Sequence, residues 1–255
     1  LCDMDEVVRI CNKHSIKLVE DSAHALGVKW NGKHAGTFGL AGIYSLQSYK
    51  VINAGEGGIL VTDNPEIFWQ SVFMSGSYET NYKLHSKHNL EIAERFKNKL
   101  PVFNVRMSNI TASIAIPQVF NIESTIECLQ EKYNFLNDLL SSRKEISLTN
   151  DPIEVRPVRD SAQIRIRIDD ESRTKLKTDL NIAGIPISYF GGRNNTNARL
   201  YDNWQFIDNI NKVDLPNTKT HLAEVFDLRL PIHFNLDEIK LIGNTFLDVF
   251  DNINL

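Results

Sequence analysis

The stretch YSLQSYKVINAGEGGILVTD, residues 44–63, places one lysine, Lys50, between a hydroxyl-rich turn and a Gly-Glu-Gly-Gly step ahead of an apolar strand. A surface lysine needs no such surroundings, whereas a lysine that forms a covalent bond does. Ser45, Gln47, Ser48 and Lys50 gather hydrogen-bonding groups beside a single amine. Such a group can hold a phosphate, and the amine can condense with an aldehyde as a Schiff base. The glycines flanking Glu56 let the backbone turn back where a Cβ would not fit. The order of lysine and glycines is the reverse of G-x-x-x-x-G-K-[ST], which excludes a P-loop. Taken alone, Lys50 would read as a solvated lysine.

Upstream, EDSAH (20–24) follows the apolar run IKLV and puts a carboxylate, Asp21, at the end of a predicted buried strand. A carboxylate there requires a cationic partner, or it turns outward and caps the next turn. His24 alone reads as a satisfied loop histidine. The combination is stronger than its parts. An acid ending one strand, a lysine after the next and a serine between them meet the needs of pyridoxal phosphate. The carboxylate keeps the pyridine nitrogen protonated, the lysine binds the aldehyde and moves a proton, and the serine hydroxyl binds the phosphate.

The rest of the chain supplies an α/β frame. Asp3 or Asp5 caps a first helix with Val7, Val8, Ile10 and Cys11 on one side. WNGKHAGTFG reads as loop, GIYSL and GILVTD as short strands, and EIFWQSVFM as helix. Residues 75–103 are polar and read as a long excursion of the functional or partner-contacting kind. From Ser108 a helical period runs to Pro117 and resumes over a long bridging helix carrying Ile122, Ile126, Leu129, Tyr133, Leu136 and Leu140. AQIRIRID alternates Ile164, Ile166 and Ile168 against Arg165 and Arg167, and a terminal amphipathic helix turns Ile239, Ile242, Phe246, Val249 and Phe250 inward. The predicted boundary separates 1–145, an α/β unit that includes the long bridging helix, from 146–255, a small α+β domain.

With 255 residues, 42% hydrophobic and 24% charged, the composition is that of a globular protein, and a net charge of −4 gives no bias toward nucleic acid or anionic membrane. Cys2, Cys11 and Cys128 have no metal-ligand spacing, and the latter two read as core fillers in a reducing cytoplasm. No run approaches the roughly 20 apolar residues of a membrane span. Arg193 in a glycine-rich segment is a weaker substrate-contact candidate. Tyr78, Tyr82, Tyr201 and Trp204 are candidate stacking aromatics that core burial explains equally well. His85 and His88 lack a third ligand.

The run from Asp3 to Asp63, together with NVRMSNITASIAIPQ, GIPISYF and LRLPIHFNLDEI, resembles the DegT/DnrJ/EryC1/StrS family of fold-type-I pyridoxal-phosphate aminotransferases, the sugar aminotransferases. The EDxAH … S-x-Q-x-x-K-x-x-x-x-GEGG combination is specific to that family. The resemblance implies that 1–145 is the C-terminal part of a large domain with a mostly parallel sheet. It also implies that Lys50 is the Schiff-base lysine, Asp21 the pyridine-nitrogen partner, His24 the residue against the ring near its hydroxyl, and Ser45 the phosphate-binding serine. Gln47 stands where many members carry histidine. Asn104 or Arg106 corresponds to the segment reaching the cofactor phosphate of the neighbouring subunit, which implies a homodimer with a shared site. The implied reaction moves an amino group from an amino acid, glutamate or glutamine, to a keto-sugar such as a nucleotide sugar in polysaccharide or secondary-metabolite biosynthesis. Relatives that deoxygenate carry histidine in place of the lysine, so Lys50 argues against a dehydratase. The alternative is a protein that binds the cofactor without turnover, or an inactive fragment. Family members begin far upstream of the first residue here, so the chain by itself is expected to hold half of the cofactor pocket and to show weak or absent activity.

Overall fold

The computed structural model describes residues 1–253 apart from 78–80, 85, 193–196, 198–199 and 209–213. Tyr78, His85 and Arg193, singled out above, lie outside the described residues. The chain runs α1 (Met4–Lys13), β1 (Val19–Asp21), β2 (Lys29–Trp30), β3 (Lys33–His34), β4 (Ala41–Ser45), β5 (Gly58–Val61) and α2 (Pro65–Met74). After a 3-10 turn at Asn81–Leu84 come α3 (Leu90–Phe96), α4 (Asn109–Phe120), α5 (Ile122–Leu140), β6 (Ile146–Leu148), β7 (Val155–Arg156) and β8 (Ser161–Ile166). The remainder holds α6 (Asp170–Ile182), β9 (Ser188–Tyr189), α7 (Pro216–Ala223), β10 (Val225–Arg229) and α8 (Leu236–Asp251).

Two compact units divide the chain: Leu1–Ile126 with Asp151–Val158, and Glu127–Asn150 with Arg159–Leu255. The division falls inside α5, not at 145/146 where the sequence places it. Residues 151–158 return to the first unit because β7 pairs with β2, Trp30 opposite Val155 and Lys29 opposite Arg156.

The first unit is built on the sheet β1-β4-β5. β1 and β4 are parallel, with Asp21 opposite Ile43, and β4 and β5 are antiparallel, with Ser45 opposite Gly58. Alternation sends Glu20, Gly42 and Tyr44 to one face and Val19, Asp21, Ile43 and Ser45 to the other. On the first face the loop 35–39 lies against the strands. The buried Glu20 carboxylate accepts the N–H groups of Gly36 at 2.7 Å, Phe38 at 2.5 Å and Gly39 at 2.7 Å. The Tyr44 hydroxyl donates to the Ala35 carbonyl at 2.5 Å. A Cβ on Gly42 would lie 2.0 Å from the Gly36 carbonyl oxygen, so that close approach requires glycine. Val19, Ile43 and Leu60 are exposed, so the opposite face is open.

Three expectations about local structure change. WNGKH is a hairpin and not plain loop: Asn31 and Gly32 both have positive φ (47° and 79°), the geometry of a two-residue type I′ turn between β2 and β3. Residues 75–103 contain the 3-10 turn and α3, which close a small core of Trp69, Phe73, Tyr82 and Ala93 against α2. Pro117 does not end its helix. α4 continues to Phe120, and the break falls at Asn121, whose side-chain amide donates to the Pro117 carbonyl at 2.9 Å. Asp3 caps α1 as expected, accepting the Glu6 N–H at 3.0 Å, yet Met4 is the buried residue of that helix and Ile10 is exposed. Cys11 and Cys128 are half-buried, not core.

The second unit is an antiparallel sheet of order β6-β8-β10-β9 with helices against it. Ile164 and Ile166 of β8 face inward with Ala162 and with Phe226 and Leu228 of β10, as the alternation predicts, but the strand ends at Ile166 and Ile168 beyond it is half-buried. Each large apolar side chain so buried contributes roughly 1.5–3 kcal/mol. α8 buries Ile239, Phe246 and Phe250, and its Gly243 lies so close to α5 that a Cβ would meet Leu139 at 2.4 Å. Lys132 of α5 is buried, with its ammonium donating to the Ile232 carbonyl at 2.6 Å and the Pro231 carbonyl at 3.2 Å.

Candidate active site

β1 and β4 end on the same side of the sheet because they are parallel, and ligands in parallel α/β sheets bind beyond the carboxyl ends of the strands. Asp21 and Ser45 are the last residues of these two strands and share the open face. β1 continues into a turn in which Ala25 N–H donates to the Ser22 carbonyl at 2.9 Å, carrying His24. β4 continues into the loop 46–57, which closes on itself: Leu46 N–H donates to Gly57 carbonyl and Ser48 N–H to Gly55 carbonyl, both at 2.9 Å. Gly55 and Gly57 have φ of 81° and 144°, so the glycines flanking Glu56 are conformational requirements. Tyr49 also has positive φ, 75°, and is largely exposed. A bulky residue there carries backbone strain of about 1–2 kcal/mol, and such strain gathers at functional sites.

This loop delivers the lysine to the histidine. Lys50 Nζ lies 2.7 Å from His24 Nε2. Asp21 is exposed; its Oδ1 accepts the Ala23 N–H at 3.1 Å. The turn-capping geometry of Asp21 is therefore present, and Oδ2 has no partner among the described residues. Ser45 Oγ accepts the Gln47 N–H at 3.3 Å, which leaves its hydroxyl hydrogen for another acceptor. Gln47 in turn takes the Lys50 N–H on its carbonyl at 3.1 Å.

Asn104 and Arg106 line a groove of about 1180 Å³ with Ile43, Leu60, Phe68 and Met74. Their segment is tied to the end of α2: Phe103 N–H donates to Met74 carbonyl at 2.8 Å and Val105 N–H to Ser75 carbonyl at 3.2 Å. Met107 then passes the GEGG turn, 3.4 Å from where a Gly57 Cβ would stand. Among the weaker candidates, Tyr82 and Tyr201 are buried, and Trp204 stacks on Phe206 with centroids 5.8 Å apart. Arg165 is ion-paired with Glu224 at 3.3 Å. No group of three or more metal-ligating side chains occurs among the described residues. Glu20, which the sequence reading passes over, positions the site from behind by pinning the loop 35–39 under β1 and β4. Burial, and secondarily the Glu20 charge, pushes the Tyr44 phenol up from its ordinary pKa on that covered face.

The donor set fits pyridoxal phosphate. Asp21 offers an ionisable oxygen without a cation to a protonated ring nitrogen, Ser45 offers a hydroxyl to a phosphate, and Lys50 offers an amine to an aldehyde. Residues 1–246 match the DegT/DnrJ/EryC1/StrS aminotransferase family.

The chain belongs to this family.

Pyridoxal phosphate is the family's cofactor, and the fold is that of fold-type-I enzymes. Among curated relatives, 3-amino-5-hydroxybenzoate synthase of Amycolatopsis mediterranei is 29% identical over 190 residues, 73% of this chain and 46% of that protein. GDP-perosamine synthase of Escherichia coli O157:H7 is 29% identical over 149 residues, 56% of this chain and 38% of that protein. The chain thus spans less than half the length of these curated relatives. Among solved structures, Helicobacter pylori PseC, an aminotransferase involved in pseudoaminic acid biosynthesis, superposes with a TM-score of 0.78 at 18% identity, covering 99% of this chain and 64% of that one. The E. coli GDP-4-keto-6-deoxy-D-mannose-3-dehydratase with bound hydrated pyridoxal phosphate superposes at 0.73 and 23% identity, over 96% and 64% of the two chains. These two likenesses are of fold. No described helix is long and apolar enough to cross a membrane.

Proposed function

We propose that this chain serves a pyridoxal-phosphate aminotransferase that moves an amino group from glutamate or glutamine to a keto-sugar or related ketone, as a cytoplasmic homodimer. The observation that carries the reading is the Lys50 amine held 2.7 Å from the His24 ring beyond the end of the strand that presents Asp21. When bound, the cofactor supplies an electron sink for the carbon losing or gaining the amino group.

The chain's own residues do the rest. With the cofactor bound, Lys50 would hold its aldehyde through the amine and, once displaced by the substrate's amino group, would move a proton at the substrate carbon. Asp21 Oδ2 would keep the ring nitrogen protonated. His24, beside the Lys50 amine, would lie against the ring, Ser45 would hold the phosphate, and Gln47 shapes the turn that presents Lys50. Asn104 or Arg106 would serve the phosphate of a second subunit. The apolar surface of α4 supports such a pairing: Ile110 and Phe120 are 75% and 83% exposed. Three free cysteines accord with a reducing compartment.

The test begins with the purified chain and pyridoxal phosphate. Borohydride reduction followed by peptide mapping is expected to place the cofactor on Lys50, and with half of the pocket present glutamate is expected to discharge the covalent absorbance band only slowly. Lys50→Ala is expected to remove the band and cut amino transfer by at least about 10²–10⁴-fold, the usual span for a proton-transferring group. Full turnover by Lys50→Ala would falsify the assignment. A covalent band that glutamate leaves untouched would move the reading to a cofactor-binding protein without turnover.

A further inference from the structure

The amine loop has a second anchor that its sequence does not advertise. Gln118 stands on α4 behind the loop, and its carboxamide treats Asn53 as an adjacent strand would. Gln118 Oε1 accepts the Asn53 N–H at 2.9 Å, and Nε2 donates to the Asn53 carbonyl at 2.8 Å. The remaining Nε2 hydrogen goes to the Ile114 carbonyl at 2.9 Å, which fixes the side chain to its own helix. Both donors of the amide are engaged in this way. Asn53 lies three residues after Lys50, and its side chain accepts the Gly55 N–H at 2.9 Å, so the same residue also shapes the turn into GEGG.

Around that anchor the loop is sealed on its apolar side. Ile52 and Ala54 are buried with Leu46 and with Ala115 of α4. Asn53 itself is exposed, so without Gln118 its backbone would bond to water and the chain could rotate between two buried neighbours. A small rotation there moves the far end of a four-carbon side chain by much more than it moves the backbone. A separation of 2.7 Å between Lys50 Nζ and His24 Nε2 leaves little tolerance for such movement.

We propose that Gln118 is a positioning residue for Lys50: by holding both polar groups of the Asn53 backbone, it fixes the loop in the register that keeps the amine against His24. The proposal deepens the reading of Lys50 as the reactive amine and rests on it. Gln118 touches neither the amine nor the histidine, so its effect is transmitted through the backbone of residues 50–53.

Gln118→Met keeps the length and apolar stem while removing all three bonds; Gln118→Glu keeps an acceptor for the Asn53 N–H and removes the donor to its carbonyl. Three readouts on the full chain decide the matter. They are amide hydrogen exchange at Asn53, the pH profile of Lys50 acylation by a limiting amine reagent, and the rate of covalent attachment of pyridoxal phosphate. For Gln118→Met, exchange at Asn53 is expected to speed up and attachment to slow by about tenfold, the factor expected for one or two net hydrogen bonds. The Lys50 profile is expected to move while those of the remote lysines stay fixed. Gln118→Glu, which turns a carboxylate oxygen toward the Asn53 and Ile114 carbonyls, is expected to lose at least as much as Met, and it decides the question by the same readouts if Gln118→Met does not fold. Exchange, profile and attachment all within about twofold of the parent in a folded variant, the scatter of context around a single bond, would overturn the proposal. Failure of the parent chain to attach the cofactor at Lys50 would instead count against the functional reading, and exchange and acylation would then decide the role of Gln118.

Discussion

Glu20 and Asp21 are adjacent, alike in charge, and opposite in fate. Alternation along β1 buries the first and exposes the second, and the sequence alone drew attention to Asp21 because a strand-ending acid suits a ring nitrogen. Glu20 is the acid that meets the desolvation problem. It solves it with three backbone N–H groups and not with a cation. The signal was there in part, since a glycine-punctuated run beginning some fifteen residues later offers free N–H groups, but nothing in one dimension shows which strand face that run covers. Glu20→Gln is expected to destabilise the protein by about 2–4 kcal/mol, because an amide turns a donor toward N–H groups that lose their acceptor. Asp21→Asn, exposed, is expected to cost under about 0.5 kcal/mol. Urea unfolding measures both as midpoint shifts at constant slope; equal costs for the pair would show that the three N–H groups do not need the charge.

Elements were legible where period and caps agreed. Helix α1 starts at its predicted cap, and the β8 alternation and the inward face of α8 follow the pattern of their residues. The hairpin β2–β3 was missed although Asn-Gly is its turn signal, because strands of two residues carry no period. Residues 75–103 read as loop because their small core is formed with α2, a partner that no local window contains. The hairpin bears a prediction of its own. Across β3-β2-β7, His34, Lys29 and Arg156 stand in a row, and Glu123 pairs with Lys29 at 3.2 Å and with Arg156 at 2.6 Å. Burial first, then the Lys29 charge, holds the His34 pKa below its ordinary value, with Glu123 partly opposing and Arg156 adding to the fall. The folded state therefore prefers neutral imidazole. Its contribution is fully present above the unfolded pKa of about 6.5 and is lost as pH falls through the lower folded value. Melting temperature should drop less between about pH 7 and 5 in His34→Gln than in the parent, the window set by the ordinary histidine value. A steeper drop in the variant would reverse the sign.

At the scale of the whole molecule, family and fold class could be read from the motif between Glu20 and Gly58, while the division between units could not, since it depends on residues 151–158 crossing back to β2. Nor could surface be told from core in α4. NITASIAIPQVF is apolar around most of its circumference, and such helices are normally enclosed. Here Ala115 is its buried residue, while Ile110, Ile114, Ile116, Val119 and Phe120 are exposed, next to the exposed Val102, Phe103 and Val105. A second copy of this chain is the occupant we expect on that surface. Light scattering after gel filtration should give twice the monomer mass, and Ile110→Lys with Phe120→Lys should return it toward one. A parent that stays monomeric at micromolar concentration would remove the homodimer from the proposed function.

The short separation between Lys50 Nζ and His24 Nε2 also constrains which imidazole hydrogen is present. A charged ammonium has three donors and no lone pair, so Nε2 must accept, and the ring proton is driven to Nδ1. With a charged amine, then, a neutral His24 ring carries its hydrogen on Nδ1, whereas a neutral amine accepts from Nε2–H. Whatever atom meets the far edge of that ring has to be an acceptor, an oxygen or an unprotonated nitrogen, for as long as the lysine stays charged.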